Sequence, residues 1–178
     1  MGKKIAKKVV GLIIYFLLIF LAAWLIVHFV GQRTKVEGPS MEPTLHEGDN
    51  LIVDKISYRL HDPERFDIIV FPYQYKKDTY YIKRIIGLPG ETVSISDAGI
   101  IMIDGEPLVE SYGKEVMKDP GLAANPIELG DGEYFVLGDN RNDSSDSRTA
   151  SVGIIERADI IGKTSVRIYP FDKIGTLK

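Results

Sequence analysis

The residues of this chain best suited to chemistry are a serine, a lysine and a polar run rich in aspartate, all well separated in sequence. Ser40 sits in VEGPSMEPTL, Val36 to Leu45, between Pro39 and Pro43, with Gly38 two positions before it and Met41 directly after. The two prolines restrict the backbone on either side, which lowers the entropic cost of holding a hydroxyl in attack geometry. A serine in such a loop is also a common turn or cap residue, so this segment alone leaves both readings open. A nucleophilic serine needs a base, usually a histidine held by a carboxylate. The three histidines are poorly placed for that work: His28 lies in a long apolar run, and His46 and His61 lie in polar, turn-like stretches, LHEGD and LHDPE.

A lysine can replace histidine if burial keeps its amine neutral near working pH. Lys83 lies in YYIKRIIG, Tyr80 to Gly87. Strand alternation predicts Tyr81, Lys83 and Ile85 on one face, and Ile82, Arg84 and Ile86 on the other. An ammonium among apolar groups tends to lose its proton, whereas a lysine on an edge strand simply snorkels to water. The third segment, VLGDNRNDSSDSR from Val136 to Arg148, reads as a polar turn, a metal loop or a supporting shell. Counting from Asp139 or Asp143, it lacks the glycine at position six and glutamate at position twelve of a calcium loop. As a supporting shell, Asp146 pairs with Arg84 or Arg148 and orders the strand carrying Lys83, and the Ser144 hydroxyl orients the amine.

The elements that must position these groups follow from the pattern of apolar residues. Val9 to Val30 are 22 residues with no charged side chain except His28, about 33 Å of helix, enough to cross a bilayer. The run is too long for the apolar core of a cleavable leader, and no A-x-A site follows it. His28, beside Trp24 near the end of the run, is placed to snorkel to the interface. Lys3, Lys4, Lys7 and Lys8 precede the run, and only Arg33 and Lys35 follow closely. The positive-inside rule therefore predicts a cytoplasmic segment 1–8, a span 9–30 and an extracytoplasmic domain 31–178, a single-pass protein of the cell membrane.

Beyond residue 30, short β-branched and aromatic runs alternate with turn residues, which predicts a mainly antiparallel β-domain. The expected strands are Asn50 to Lys55, Asp67 to Pro72, Thr79 to Ile86, Thr92 to Ser96, Ile100 to Ile103, Glu133 to Leu137 and Lys163 to Tyr169. Asp104-Gly105 signals a type I′ hairpin, and Leu88-Pro89-Gly90 a type II turn. Ser111 to Pro126, of mixed charge with scattered Gly and Pro, reads as a mobile surface loop.

Composition removes several function classes. The net charge of −3 includes the four lysines that precede the span; without them the chain stands at −7. An acidic domain without a basic stripe is unsuited to nucleic acid. With no cysteine, thiolate chemistry, thiolate metal sites and disulfide scaffolds are excluded.

In this order behind an N-terminal span, VEGPSMEPTL, RFDIIVF, YIKRIIGLPGETV and VLGDNRNDSSDSR closely resemble the successive boxes of bacterial type I signal peptidases. The resemblance covers most of residues 34–165 and looks like the compact, single-span, Gram-positive type, because Arg84 and Gly138 are only 54 positions apart. It implies a serine endopeptidase that removes signal peptides from exported preproteins after small residues of the A-x-A kind. It also implies a β-fold of the signal peptidase type, Ser40 as nucleophile and Lys83 as general base. Met41, Arg84, Asp139, Ser144, Asp146 and Arg148 fall on supporting positions. No cofactor and no metal are implied; the expected partners are signal peptides, membrane lipid and, transiently, the translocation machinery. Two positions depart from the pattern. Gly38 stands where many relatives carry a hydroxyl donor for the oxyanion, which leaves that charge mainly to the Ser40 N–H. Phe66 stands where glycine is frequent. A self-cleaving repressor relative with the same dyad is disfavoured by the span and by the lack of a helix-turn-helix segment. A non-catalytic anchored β-module would tolerate loss of Ser40 or Lys83.

Overall fold

The computed structural model describes residues 2–25 and 31–177. A helix α1 (Gly2–Leu25) is followed by twelve strands: β1 (Gly31–Lys35), β2 (Asn50–Asp54), β3 (Ile68–Pro72), β4 (Tyr80–Gly87), β5 (Thr92–Ile95), β6 (Ile101–Ile103), β7 (Glu106–Pro107), β8 (Ile127–Glu128), β9 (Glu133–Leu137), β10 (Ile155–Glu156), β11 (Gly162–Tyr169) and β12 (Gly175–Thr176). A single short helix α2 (Ser57–Leu60) interrupts the β-domain. The window Lys7–Trp24 of α1 has a mean hydropathy of 2.0, and none of it is buried. A helix of that length and hydropathy is long and apolar enough to cross a membrane. His28 lies outside the described residues.

The strands form two antiparallel sheets. The larger runs β1-β2-β11-β3-β4-β9-β10, with β12 on β11, and the smaller runs β7-β6-β5-β8. All seven expected strands are present to within a residue at either end. β4 lies between β3 and β9, and Lys83 is 3% exposed, which removes the reading of a lysine that snorkels to water. Its two faces separate as alternation requires: Tyr81 and Ile85 pack with Ile69, Phe71 and Val136. Ile82 packs with Val36, Met41 and Leu45, and Ile86 with the core beneath the smaller sheet.

Asp104 and Gly105 both have positive φ, 51° and 84°, and turn β6 into β7. Gly90 has φ 81° and the Glu91 N–H donates to the Leu88 carbonyl at 3.2 Å, as a type II turn requires. The stretch Ser111 to Pro126 is not the free surface loop its composition suggests. Met117 and Ala123 are buried in the core of the smaller sheet, and Gly121–Ala124 forms a 3-10 turn. These two apolar side chains help to pin an otherwise polar stretch.

Candidate active site

The Ser40 loop is held by burial on both sides of the serine. The Val36 N–H donates to Asp49 O at 2.8 Å, and Val36, Met41 and Leu45 pack with Leu51 and Ile68 in one cluster. Met41 is thus an anchor that fixes its neighbour Ser40, which stays half-exposed. The Ser40 carbonyl accepts from the Asn140 N–H at 3.1 Å, and the Pro39 carbonyl from Asn140 Nδ2 at 3.2 Å. Gly138 permits this approach. A Cβ there would lie 2.4 Å from Ser40 O and 2.2 Å from Ser144 Oγ, inside van der Waals contact.

Lys83 reaches the serine from β4. Its Nζ lies 2.8 Å from Ser40 Oγ and 3.0 Å from the Ile82 carbonyl, and its ammonium centre is 5.0 Å from the Tyr81 ring centroid. The side chain is 3% exposed. Desolvation lowers the lysine pKa to about 8, against the attraction of Asp146 and then Asp139, which raise it. Around and above pH 8 a substantial fraction of this amine is therefore free to accept a proton. His46 and His61 are exposed, and the Lys83 amine takes Ser40 and Ile82, not a histidine, as its partners.

The supporting residues resolve into two buried pairs, and the alternatives for Asp146 are settled. Asp146 pairs with Arg148, not Arg84: Arg148 Nε donates to Oδ1 and Nη2 to Oδ2, each at 2.8 Å, and the Gly138 N–H donates to Oδ2 at 3.1 Å. Arg84 pairs with Asp139, Nε to Oδ1 at 2.9 Å and Nη2 to Oδ2 at 2.7 Å, with both side chains almost fully buried. The bidentate geometry and full burial make each pair a rigid joint rather than a loose surface contact. Ser144 does not orient the amine. Lys83 Nζ bonds Ser40 and Ile82, while Ser144 Oγ is buried against the Gly138 backbone with no hydrogen-bond partner among the described residues.

Sequence reasoning missed Thr44, which donates to Asp139 Oδ2 at 2.5 Å and ties the nucleophile loop to the Arg84 pair. A threonine in a proline-rich loop gives no signal of a partner 95 positions away. Both departures from the expected pattern have a backbone setting. Gly38 has φ 81° and Phe66 has φ 73°, the left-handed region that favours glycine. Phe66 bears that conformation with its carbonyl accepting from Arg84 Nη1 at 2.9 Å. Among the described residues, no cluster of His, Asp and Glu is arranged to hold a metal ion.

A cleft of about 500 Å³ opens over the dyad, walled by Thr34 to Ser40 on one side and by Lys76 and Asp78 to Lys83 on the other. β4 pairs with β9 only from Arg84 onward, so the cleft-facing edge of Tyr80 to Ile82 has no strand beside it. An unpaired strand edge next to a nucleophile is a template for an extended peptide.

The chain matches the family model described as signal peptidase, peptidase S26, over residues 8–169. It is 42% identical over 154 residues to a probable signal peptidase I-2 of Synechocystis sp., covering 84% of this chain and 68% of that protein. It is 36% identical over 159 residues to a signal peptidase I of Bacillus licheniformis, covering 85% and 84%. A crystal structure of a signal peptidase I from Enterococcus faecalis V583 aligns with 58% of this chain and 97% of its own at 35% identity, with a TM-score of 0.48.

Proposed function

The chain belongs to the signal peptidase family, peptidase S26, and we propose that it cleaves signal peptides from exported preproteins with Ser40 as nucleophile and Lys83 as general base. The observation that carries this assignment is the 2.8 Å approach of a buried lysine amine to a half-exposed serine hydroxyl at the floor of a peptide-sized cleft. In the neutral state the amine accepts the Ser40 proton while Oγ attacks the scissile carbonyl. The oxyanion is met by the Ser40 N–H, which has no acceptor among the described residues. Collapse of the intermediate passes the proton from Lys83 to the departing amine and leaves an acyl-enzyme. Lys83 then takes a proton from the water that releases the signal peptide.

The substrate lies extended along the free edge of Tyr80 to Ile82. In an extended peptide, side chains two apart face the same wall. The residues one and three before the cleaved bond would both face Val36 and Ile82, which leaves room for small side chains, in keeping with A-x-A cleavage. The apolar helix holds the domain at a membrane, and the four lysines before it favour a cytoplasmic N-terminus with the β-domain outside. Membrane lipid and, transiently, the translocation machinery are then the remaining partners.

Detergent-solubilised protein incubated with a preprotein should release a mature chain whose first residue follows an A-x-A sequence. The Ser40→Ala and Lys83→Ala forms should release none. Cleavage by either variant at the parent rate removes the dyad.

A further inference from the structure

The dyad and its supporting residues come from three segments of the chain. Ser40 lies in the loop after β1, Lys83 and Arg84 on β4, and Asp139 to Arg148 in the loop after β9. The stretch Glu110 to Lys118, which has no regular secondary structure, is stitched to all three. Glu110 pairs with Arg141 at 2.8 Å, and the Lys114 N–H donates to the Asp139 carbonyl at 2.9 Å. Lys114 Nζ pairs with Glu42, two residues past Ser40, at 2.8 Å, and the Lys118 N–H donates to Asn142 Oδ1 at 2.9 Å. Met117 is buried in the core below.

At the middle of this strap the Tyr112 ring lies over the Arg84 guanidinium, its centroid 3.7 Å from Cζ, and leans on Phe66 with centroids 5.1 Å apart. A cation against an aromatic face gains most where water is excluded, and Arg84 is 1% exposed. Arg84 directly follows Lys83 on β4. Its partner Asp139 receives Thr44 from the nucleophile loop, and the next residue, Asn140, holds the Ser40 carbonyl. The guanidinium under Tyr112 is therefore the joint at which the base strand and the nucleophile loop meet. The Lys114–Glu42 pair is more exposed and contributes less on its own.

We propose that Tyr112 is a positioning residue for peptide hydrolysis, its ring clamping Arg84 so that Lys83 Nζ and Ser40 Oγ stay within proton-transfer distance. The proposal rests on the Ser40 and Lys83 reading above. Misplacing a catalytic group by about 1 Å can cost on the order of a hundredfold in rate. The test compares Tyr112→Leu, which fills the volume without a π face, with Tyr112→Phe, which keeps the ring. Preprotein cleavage is followed at a temperature where circular dichroism shows every form folded, with Ser40→Ala run in parallel. Tyr112→Leu should lower kcat by on the order of tenfold to a hundredfold with KM little changed, and Tyr112→Phe should recover most of it. A Leu variant with the parent kcat, a loss confined to KM, or a Phe variant as impaired as Leu overturns the proposal. An active Ser40→Ala form would instead overturn the dyad itself.

Discussion

Replacing Asp146 by asparagine should move stability and the pH dependence of catalysis in ways that a purely chemical role for this carboxylate would not. Asp146 is fully buried and accepts two hydrogen bonds from the Arg148 guanidinium, each 2.8 Å, and one from each of the Arg148 and Gly138 backbone N–H groups. Removing one partner of a buried pair costs about 3–5 kcal/mol, and asparagine, which keeps the shape and one acceptor oxygen, should fall near the lower end. In a domain of this size each kcal/mol is worth about 2–4 °C, so the melting temperature should drop by roughly 10 °C. Asp146→Ala should drop it further. Asp146 is also the largest charge holding up the Lys83 pKa. With that charge gone the ammonium is less favoured, the lysine pKa falls below about 8, and the acid limb of the rate profile shifts to lower pH. Scanning fluorimetry and preprotein cleavage between pH 5 and 10 read the two effects separately, as order-of-magnitude tests. An alanine variant with an unchanged melting temperature and no activity would make Asp146 a participant in the chemistry. An acid limb that stays in place or moves to higher pH would refute the electrostatic coupling.

Other outcomes follow from the same geometry. Gly138→Ala places a Cβ 2.4 Å from the Ser40 carbonyl and should abolish cleavage even where circular dichroism shows a folded domain; a fully active variant would mean that the contact is not needed. Lys83→Met should stabilise the protein below pH 8. There the native state carries the full cost of a buried ammonium, about 3 kcal/mol for a pKa lowered from 10.5 to about 8. Between those values the unfolded chain binds more protons than the native one, so the cost shrinks as pH rises and the advantage of methionine should be largely gone above pH 10.5; urea titrations at pH 7 and 10 that show equal differences would contradict it. Protease added to cells stripped of their wall should degrade the 31–178 domain and spare the N-terminus, and an outer domain protected until the membrane is breached reverses the topology.

The parts of the fold that could be read in the sequence are the short runs of β-branched and aromatic residues bounded by turn residues, which are buried almost end to end. β3, β4 and β9 declare themselves through Ile, Val, Phe and Tyr, and Asp104-Gly105 through the turn it must make. β1, GQRTK, was invisible because its polar side chains face outward on an edge and its only signal is pairing with β2. The two-residue strands β7, β8, β10 and β12 are too short for any period. In the site, Ser40 and Lys83 were legible because their segments combine chemistry with unusual surroundings. The pairing of Arg84 with Asp139, 55 positions apart, depends on β4 and β9 lying side by side, which no local pattern encodes. The same holds for the strap at Glu110 to Lys118. Its composition is that of a free loop, and contacts distant in sequence, with Arg84, Arg141 and Asp139 and through the buried Met117, give it a fixed course.

The role of Lys83 as a neutral base is open to one direct measurement, the pH profile of preprotein cleavage by the parent protein, Lys83→Arg, and a form with His28, His46 and His61 all replaced. Below pH 8 the rate of the parent should rise close to tenfold per pH unit and level off above it, as the lowered lysine pKa requires. The histidine-free form should follow the same curve. Arginine keeps the charge and much of the length but does not give up its proton, so Lys83→Arg should be inactive at every pH. An arginine form that still cleaves, or activity that disappears with the histidines, would replace the lysine base by a different one.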